Sequence, residues 1–173
     1  MNEVKFIKQV QCKVAVSAVG PSALRGQGTG VLYSVQKRLK NIDLSSLPTE
    51  NQEEFKKWLD QQTDAILRKL PVDNKPWGAA RKALNLFLRD VLYNRYLYRK
   101  YPISEVEKWL EIPLDSVVAN ELKKMDASLP TWTRLKNLDK NNSEQYQKAA
   151  LEIAETKKIK RVHLDIFLWL DNR

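Results

Sequence analysis

Two residues of this chain have the types and setting to do chemistry together: Lys82, in WGAARKALNLFLRDVLYNRYLYRKY, and Asp115, in EIPLDSVVANELKK. The first segment is apolar on nearly every face, the pattern of a central helix rather than a surface one. An amine deprived of water loses its preference for the charged form and can attack an electrophilic carbon. Adjacent Arg81 pushes the same way. The ordinary alternatives are a lysine that snorkels from its helix or pairs with a carboxylate, and an aspartate that satisfies the first backbone donors of the helix it opens. Composition and spacing alone assign neither residue a catalytic role.

The other familiar schemes are poorly served. Cys12 is the single cysteine and His163 the single histidine, so there is no disulfide, no Cys/His zinc cluster and no cofactor motif. A Ser-His-Asp or Cys-His centre would have to use His163, and no nucleophile-elbow motif accompanies it. No metal or cofactor is expected. No apolar run approaches a membrane span and the N-terminus has no signal-peptide core, so the expectation is a cytoplasmic protein, acting as a monomer.

Charge points to a polyanionic partner. Lysine and arginine number 30 against 21 acidic residues, a formal net charge of +9 in 173 residues. The cations cluster. RDVLYNRYLYRKY interleaves Arg89, Arg95, Arg99 and Lys100 with four tyrosines, and KKIKRVH adds Lys157, Lys158, Lys160 and Arg161. Such cations neutralise phosphates while rings stack on bases, although tyrosines at this spacing are equally often core residues.

The elements that must position these groups read as helices almost throughout. Val4, Ile7, Val10, Val14 and Ala18 fall at helical spacing, while VKFIKQVQCKV also alternates well enough for a strand, leaving residues 4–14 open between the two. Gly20 to Gly30 holds four of the five glycines and must be a turn-rich loop. A short basic helix follows over Val31 to Ile42. Thr49 with Gln52 forms a capping box for the next helix, which Pro71 and DNKP terminate. Pro76 opens a long helix running to about Tyr101, Pro102 ends it, and Ser104 caps a short one. Helices then begin around Leu114, at Ser143 and at Val162, the last reaching about Asp171.

Four places read together resemble the archaeal 8-oxoguanine DNA glycosylases, a branch of the helix-hairpin-helix DNA glycosylase superfamily. Ile112-Pro113-Leu114-Asp115 is similar to the Ile-Pro-Val-Asp sequence that carries the family's aspartate, and Lys82 precedes it by 33 residues (82 to 115), a separation like the family's. Asp165-Ile166-Phe167-Leu168-Trp169 repeats an Asp-x-x-x-Trp arrangement that holds the extruded base, and Gln27 in LRGQGTG is the counterpart of a base-contacting glutamine. The chain departs from the pattern in three respects. Only Gly78 remains of the glycine-rich hairpin, Leu86 with Phe87 beside it stands where the family has an aromatic ring one turn after the lysine, and the chain is short.

The resemblance implies an all-α fold, a single helical domain over residues 1–173 with two sub-bundles around a cleft, one formed by 1–75 with 143–173 and the other by 76–142. It implies a DNA glycosylase, with or without β-lyase activity, in repair or in defence against invading DNA. Lys82 would be the nucleophile and Asp115 its electrostatic partner. Gln27, Leu86, Phe87, Asp165 and Trp169 would form the base pocket, and Arg81, Arg89 and Lys75 would hold the backbone of double-stranded DNA containing a modified base. The alternatives are a non-catalytic helical nucleic-acid-binding module, in which Lys82 and Asp115 are a structural pair, and a helical protein whose charge serves an acidic protein partner.

Overall fold

The computed structural model describes residues 2–73 and 75–170. Among these the chain is all-α, with nine α-helices and four short 3-10 segments. The N-terminal segment is helix α1, Glu3–Ala18, which settles the helix-or-strand ambiguity: Ile7, Val14, Ala15 and Ala18 are buried along one face, and Asn2 accepts from the Val4 amide at 3.0 Å as its cap. The glycine-rich loop follows, and α2 spans Val31–Leu39. Helix α3, Gln52–Leu67, is capped by Asn51 rather than Thr49, since Asn51 Oδ1 accepts from the Glu54 amide at 2.9 Å.

Helix α4, Trp77–Tyr93, is the centre of the molecule, with twelve of its residues buried. It stops earlier than expected. Asn94 adopts an extended backbone (φ −86, ψ 112) and its side chain accepts from the amides of Tyr96 and Leu97, so one residue ends α4 and caps α5, Arg95–Lys100. A capping side chain competing with the helical ladder is the physical reason for the break. Helix α6, Ile103–Val106, runs into a 3-10 turn, Glu107–Trp109, and α7 spans Ser116–Met125 with Asp115 as its cap. Helix α8, Lys140–Thr156, begins one turn before Ser143, which is buried inside it; Asp139 is the cap. Helix α9, Leu164–Leu170, follows a 3-10 turn, Arg161–His163, and Asp171 lies outside the described residues.

Two hydrophobic cores divide the chain almost in sequence order. One gathers buried residues from Ile7 to Leu110 together with Val162, and the other runs from Ile112 to Leu168. The division of the cores therefore falls at residue 111 rather than at residues 75 and 143, and α8 and α9 share theirs with α7, while α8 also meets α3 through the Lys56–Glu144 and Lys140–Asp60 ion pairs. The reason is local: Ile112, Leu114, Val118 and Leu122 present one apolar face that Tyr146, Ala150, Leu164 and Leu168 cover.

Gly78 joins the two halves. A Cβ there would lie 2.4 Å from the Leu135 carbonyl oxygen and 2.6 Å from Leu138 Cβ, so the start of α4 approaches the 3-10 turn Leu135–Asn137 at a distance only glycine allows. This residue is buried against protein and is not open to a phosphate. Gly78→Ala is expected to destabilise the fold by about 1–3 kcal/mol, the usual cost of overpacking, read as a lower midpoint in urea denaturation with an unchanged slope.

Candidate active site

Four positions of α4, at spacings of four, three and four, lie on one stripe: Lys82, Leu86, Arg89 and Tyr93. All four line a single cavity of about 540 Å³, within the ~300–1,000 Å³ range usual for small-molecule sites. Its opposite walls are Pro113 and Asp115 from the entry to α7, and Asp165, Ile166 and Trp169 from α9. The end of α1 and the start of the glycine-rich loop, through Ser17, Ala18, Gly20, Ser22 and Ala23, close the rim.

Lys82 is 8% exposed, and its Nζ stands 3.5 Å from Asp115 Oδ2. Asp115 divides its two oxygens between tasks. Oδ1 accepts from the Val118 amide at 3.0 Å and caps α7, while Oδ2 faces the amine. Capping and pairing with lysine, the two ordinary readings of these residues, thus hold at the same time as their convergence on the cavity. The cap fixes where the second oxygen points, because a side chain anchored through one oxygen has little freedom left in the other.

The route of the chain into Asp115 is held equally firmly. Gln147 brackets Ile112, its Oε1 accepting from the Ile112 amide at 3.0 Å and its Nε2 donating to the Ile112 carbonyl at 2.8 Å. Arg161 donates to the carbonyls of Leu110 at 3.1 Å and Trp109 at 2.8 Å, and burial lowers its pKa from the ordinary guanidinium value. From the other side Arg81, the residue before the lysine, reaches Glu111 at 2.9 Å, Asp60 at 2.8 Å and the Thr63 hydroxyl at 2.9 Å. Helix α4 and the extended segment 110–114 are therefore locked in register by buried polar contacts, and that register sets the distance between Lys82 and Asp115.

Asp165 is 5% exposed and pairs with Arg89, whose guanidinium also holds Asp90 at 2.8 Å. Burial pushes the Asp165 carboxyl above the ordinary carboxylate range, and Arg89 pulls it part of the way back. Beside them the Tyr93 hydroxyl lies 2.8 Å from His163 Nδ1, and His163 Nε2 lies 2.7 Å from Glu107. The single histidine is thus a satisfied one, stacked on Tyr93 with ring centroids 5.6 Å apart. Trp169, one turn after Asp165, is 41% exposed on the cavity wall.

Of the residues expected at a site, Lys82, Asp115, Leu86, Asp165, Trp169 and Arg89 come together, and four do not. Phe87 is completely buried in the first core, because one residue beyond Leu86 turns it about 100° away from the cavity. Arg81 is 3% exposed and committed to Glu111, Asp60 and Thr63, so it offers no face to a DNA backbone. Gln27 stays in the loop, with Nε2 donating to the Arg25 carbonyl at 3.3 Å, and does not line the cavity. Lys75 is exposed in the connection between α3 and α4, away from the cavity lining. Arg89 is inside the cleft but already holds two carboxylates. The sequence reading missed Tyr93 as a wall residue, although the 82-86-89-93 spacing carries that signal. It also missed the rim from α1 and the Arg81–Glu111 and Gln147–Ile112 contacts, which join residues 30 or more apart.

Among the described residues no group of His, Cys, Asp and Glu is arranged to hold a metal ion, and no helix is long and apolar enough to cross a membrane. No protein-family model, curated protein or solved structure matches the chain.

Because Asn caps helices as well as Asp does, Asp115→Asn separates the two tasks of this residue. The amide retains the bond to the Val118 amide and loses the charge facing Lys82. Asp115→Ala loses both and is expected to be about 1 kcal/mol less stable than Asp115→Asn in urea denaturation.

Proposed function

We propose that the cavity is a base-excision pocket and that the protein is a DNA glycosylase acting through Lys82. One observation carries this reading: a buried lysine amine and a helix-capping aspartate meet at 3.5 Å on the floor of a cavity that a tryptophan and a buried aspartate also line. A structural lysine–aspartate pair has no need of such surroundings. The likeness to helix-hairpin-helix glycosylases rests on the order and spacing of Gln27, Lys82, Ile112–Asp115, Asp165 and Trp169 along the chain.

The chemistry follows from the placement. A target base must leave the duplex, and a net charge of +9 favours the polyanion that has to be held while a few kcal/mol of unstacking is met. With the nucleotide in the cleft, the ionised Asp115 Oδ2 stabilises the positive charge growing on the sugar. The Nζ lone pair forms a bond to C1′ as the bond from C1′ to the base breaks and the electron pair departs with the base; Asp115 then takes the proton that the newly bonded nitrogen loses and hands it to the departing base. Ring opening gives an imine between Lys82 and the sugar. Loss of a C2′ proton then expels the 3′ phosphate in a β-elimination, and water releases the lysine.

The stripe on α4 acts as a ruler for the extruded nucleotide. Arg89 lies seven residues beyond Lys82, roughly 10 Å along the axis, so the sugar sits at Lys82 while the far edge of the base faces Arg89 and Asp165. Leu86 lies between them and offers an apolar wall, with Trp169 opposite as the stacking surface.

The reading is tested by incubating the protein with duplexes that each carry one modified base and identifying free bases by mass spectrometry. Release of one base class, at least about a hundredfold above the others, is the expected result. Duplex binding with no release from any substrate would instead support a non-catalytic DNA-binding module.

A further inference from the structure

Helix α2 borders a second concave surface. Its apolar residues Val31, Val35 and Leu39 are buried, and the opposite face presents Tyr33, Ser34, Lys37 and Arg38 at helical spacing, with Asn41 just past its end. Lys69, just past the end of α3, completes a groove of about 400 Å³ whose lining contains three cations and no carboxylate. Several cations elsewhere on the surface are paired, among them Lys56 with Glu144, Lys57 with Glu53 and Glu54, Lys124 with Glu121 and Lys140 with Asp60. Among the described residues, no carboxylate lies within ion-pair distance of Lys37, Arg38 or Lys69. Arg38 is held instead by a neutral group, donating to Gln62 Oε1 at 2.8 Å, which fixes its guanidinium without cancelling its charge.

The groove lies at the C-terminal ends of α2 and α3, where helix dipoles favour cations. Each dipole contributes about half a negative charge, so two of them leave three full positive charges well in excess. Tyr33, 68% exposed, adds an aromatic surface, and Ser34 and Asn41 add hydrogen-bonding groups.

We propose that this groove binds the phosphodiester backbone of duplex DNA, as an extension of the surface that leads into the cavity. It deepens the glycosylase reading and rests on it for the identity of the polyanion. The glycine-rich loop supplies the continuity. Its first residues rim the cavity, and its last ones lie against the α3–α4 connection, where Cβ atoms at Gly28 and Gly30 would stand 2.9 Å from Val72 Cγ1 and 3.2 Å from Pro71 Cγ. Both glycines have positive φ, 108 and 77, so the loop turns tightly onto the element that also carries Lys69. The loop thus connects the rim of the cavity to the segment that follows Lys69.

The test is fluorescence anisotropy with a labelled, unmodified duplex over a range of salt concentrations, comparing the wild-type protein with Lys37→Glu/Lys69→Glu, Lys37→Gln/Lys69→Gln and a control of equal charge change, Lys124→Glu/Lys148→Glu on α7 and α8. The groove reversal is expected to weaken binding at least tenfold and to reduce the slope of log affinity against log salt by about 2, because each neutralised phosphate contributes roughly 0.9. The neutral pair is expected to show a smaller change in the same direction, and the control an unchanged slope. Equal losses in the groove and control variants, or no loss in the groove variants, would overturn the proposal. Base release by the wild-type protein is scored separately, so a groove effect without base release sinks only the enzyme reading, and base release without a groove effect sinks only the groove.

Discussion

Lys82→Gln is expected to abolish base release, by a factor of at least about 10³, while leaving affinity for unmodified duplex within about threefold. Glutamine keeps the polarity and most of the length of the side chain on α4, so the fold and the cavity survive. What disappears is the only group in that position able to form a carbon–nitrogen bond to C1′, and loss of a covalent nucleophile cannot be repaired by the electrostatics that remain. Asp115→Asn is expected to fall between the two, because stabilisation of the developing charge is weakened rather than removed. Single-turnover base release, followed at saturating enzyme, separates both from binding effects. Equal rates for Lys82→Gln and the wild type would show that the amine is a structural partner of Asp115 and nothing more.

Arg81→Met is expected to have the largest effect on stability, a loss of about 3–5 kcal/mol. The guanidinium is 3% exposed and satisfies Glu111, Asp60 and Thr63 at once, with Trp77 stacked 5.3 Å away. Methionine fills much the same volume, so the penalty is that of leaving a nearly buried Glu111 without its cation. That penalty is a large share of the 5–15 kcal/mol that holds an ordinary domain together. Adding Glu111→Gln to Arg81→Met is expected to recover about 2 kcal/mol, since the uncompensated charge is then removed. Urea denaturation of the two single variants and the double variant measures this coupling. Additive losses would mean that Arg81 and Glu111 act independently and do not set the register between α4 and Asp115.

What was readable in the sequence was set by local physics. The apolar breadth of α4, the proline and glycine punctuation and the helix-opening Asp115 each report a preference of a few neighbouring residues, and they give the all-α class and most of the helices. Leu86 was readable as a wall residue because it lies one turn from Lys82, and Asp165 and Trp169 share a face for the same reason. The errors have equally local causes. Asn94 breaks the long helix because its side chain outcompetes a helical ladder, and Phe87 leaves the site because one residue is 100° of rotation.

The remainder was decided by partners far away in the chain. Nothing adjacent to Arg81 announces Glu111, so a cation beside the lysine read as a DNA contact when it is an internal brace. Arg89 likewise became a partner of Asp165 across 76 residues, and the grouping of α8 and α9 with α7 followed from which apolar faces match. The meeting of Lys82 and Asp115 across 33 positions is of this kind too, and it entered the sequence reading through the likeness of motifs rather than through either residue alone.

The central claim is a covalent one, and it is tested most directly by trapping. The protein is incubated with a duplex carrying the base it releases, or an abasic site, in the presence of borohydride, and the reduced adduct is digested and located by peptide mass spectrometry. The account predicts a deoxyribose-derived mass on the peptide containing Lys82 and on no other. An adduct on a different lysine or on the amino terminus, or base release with no adduct at all, would contradict it.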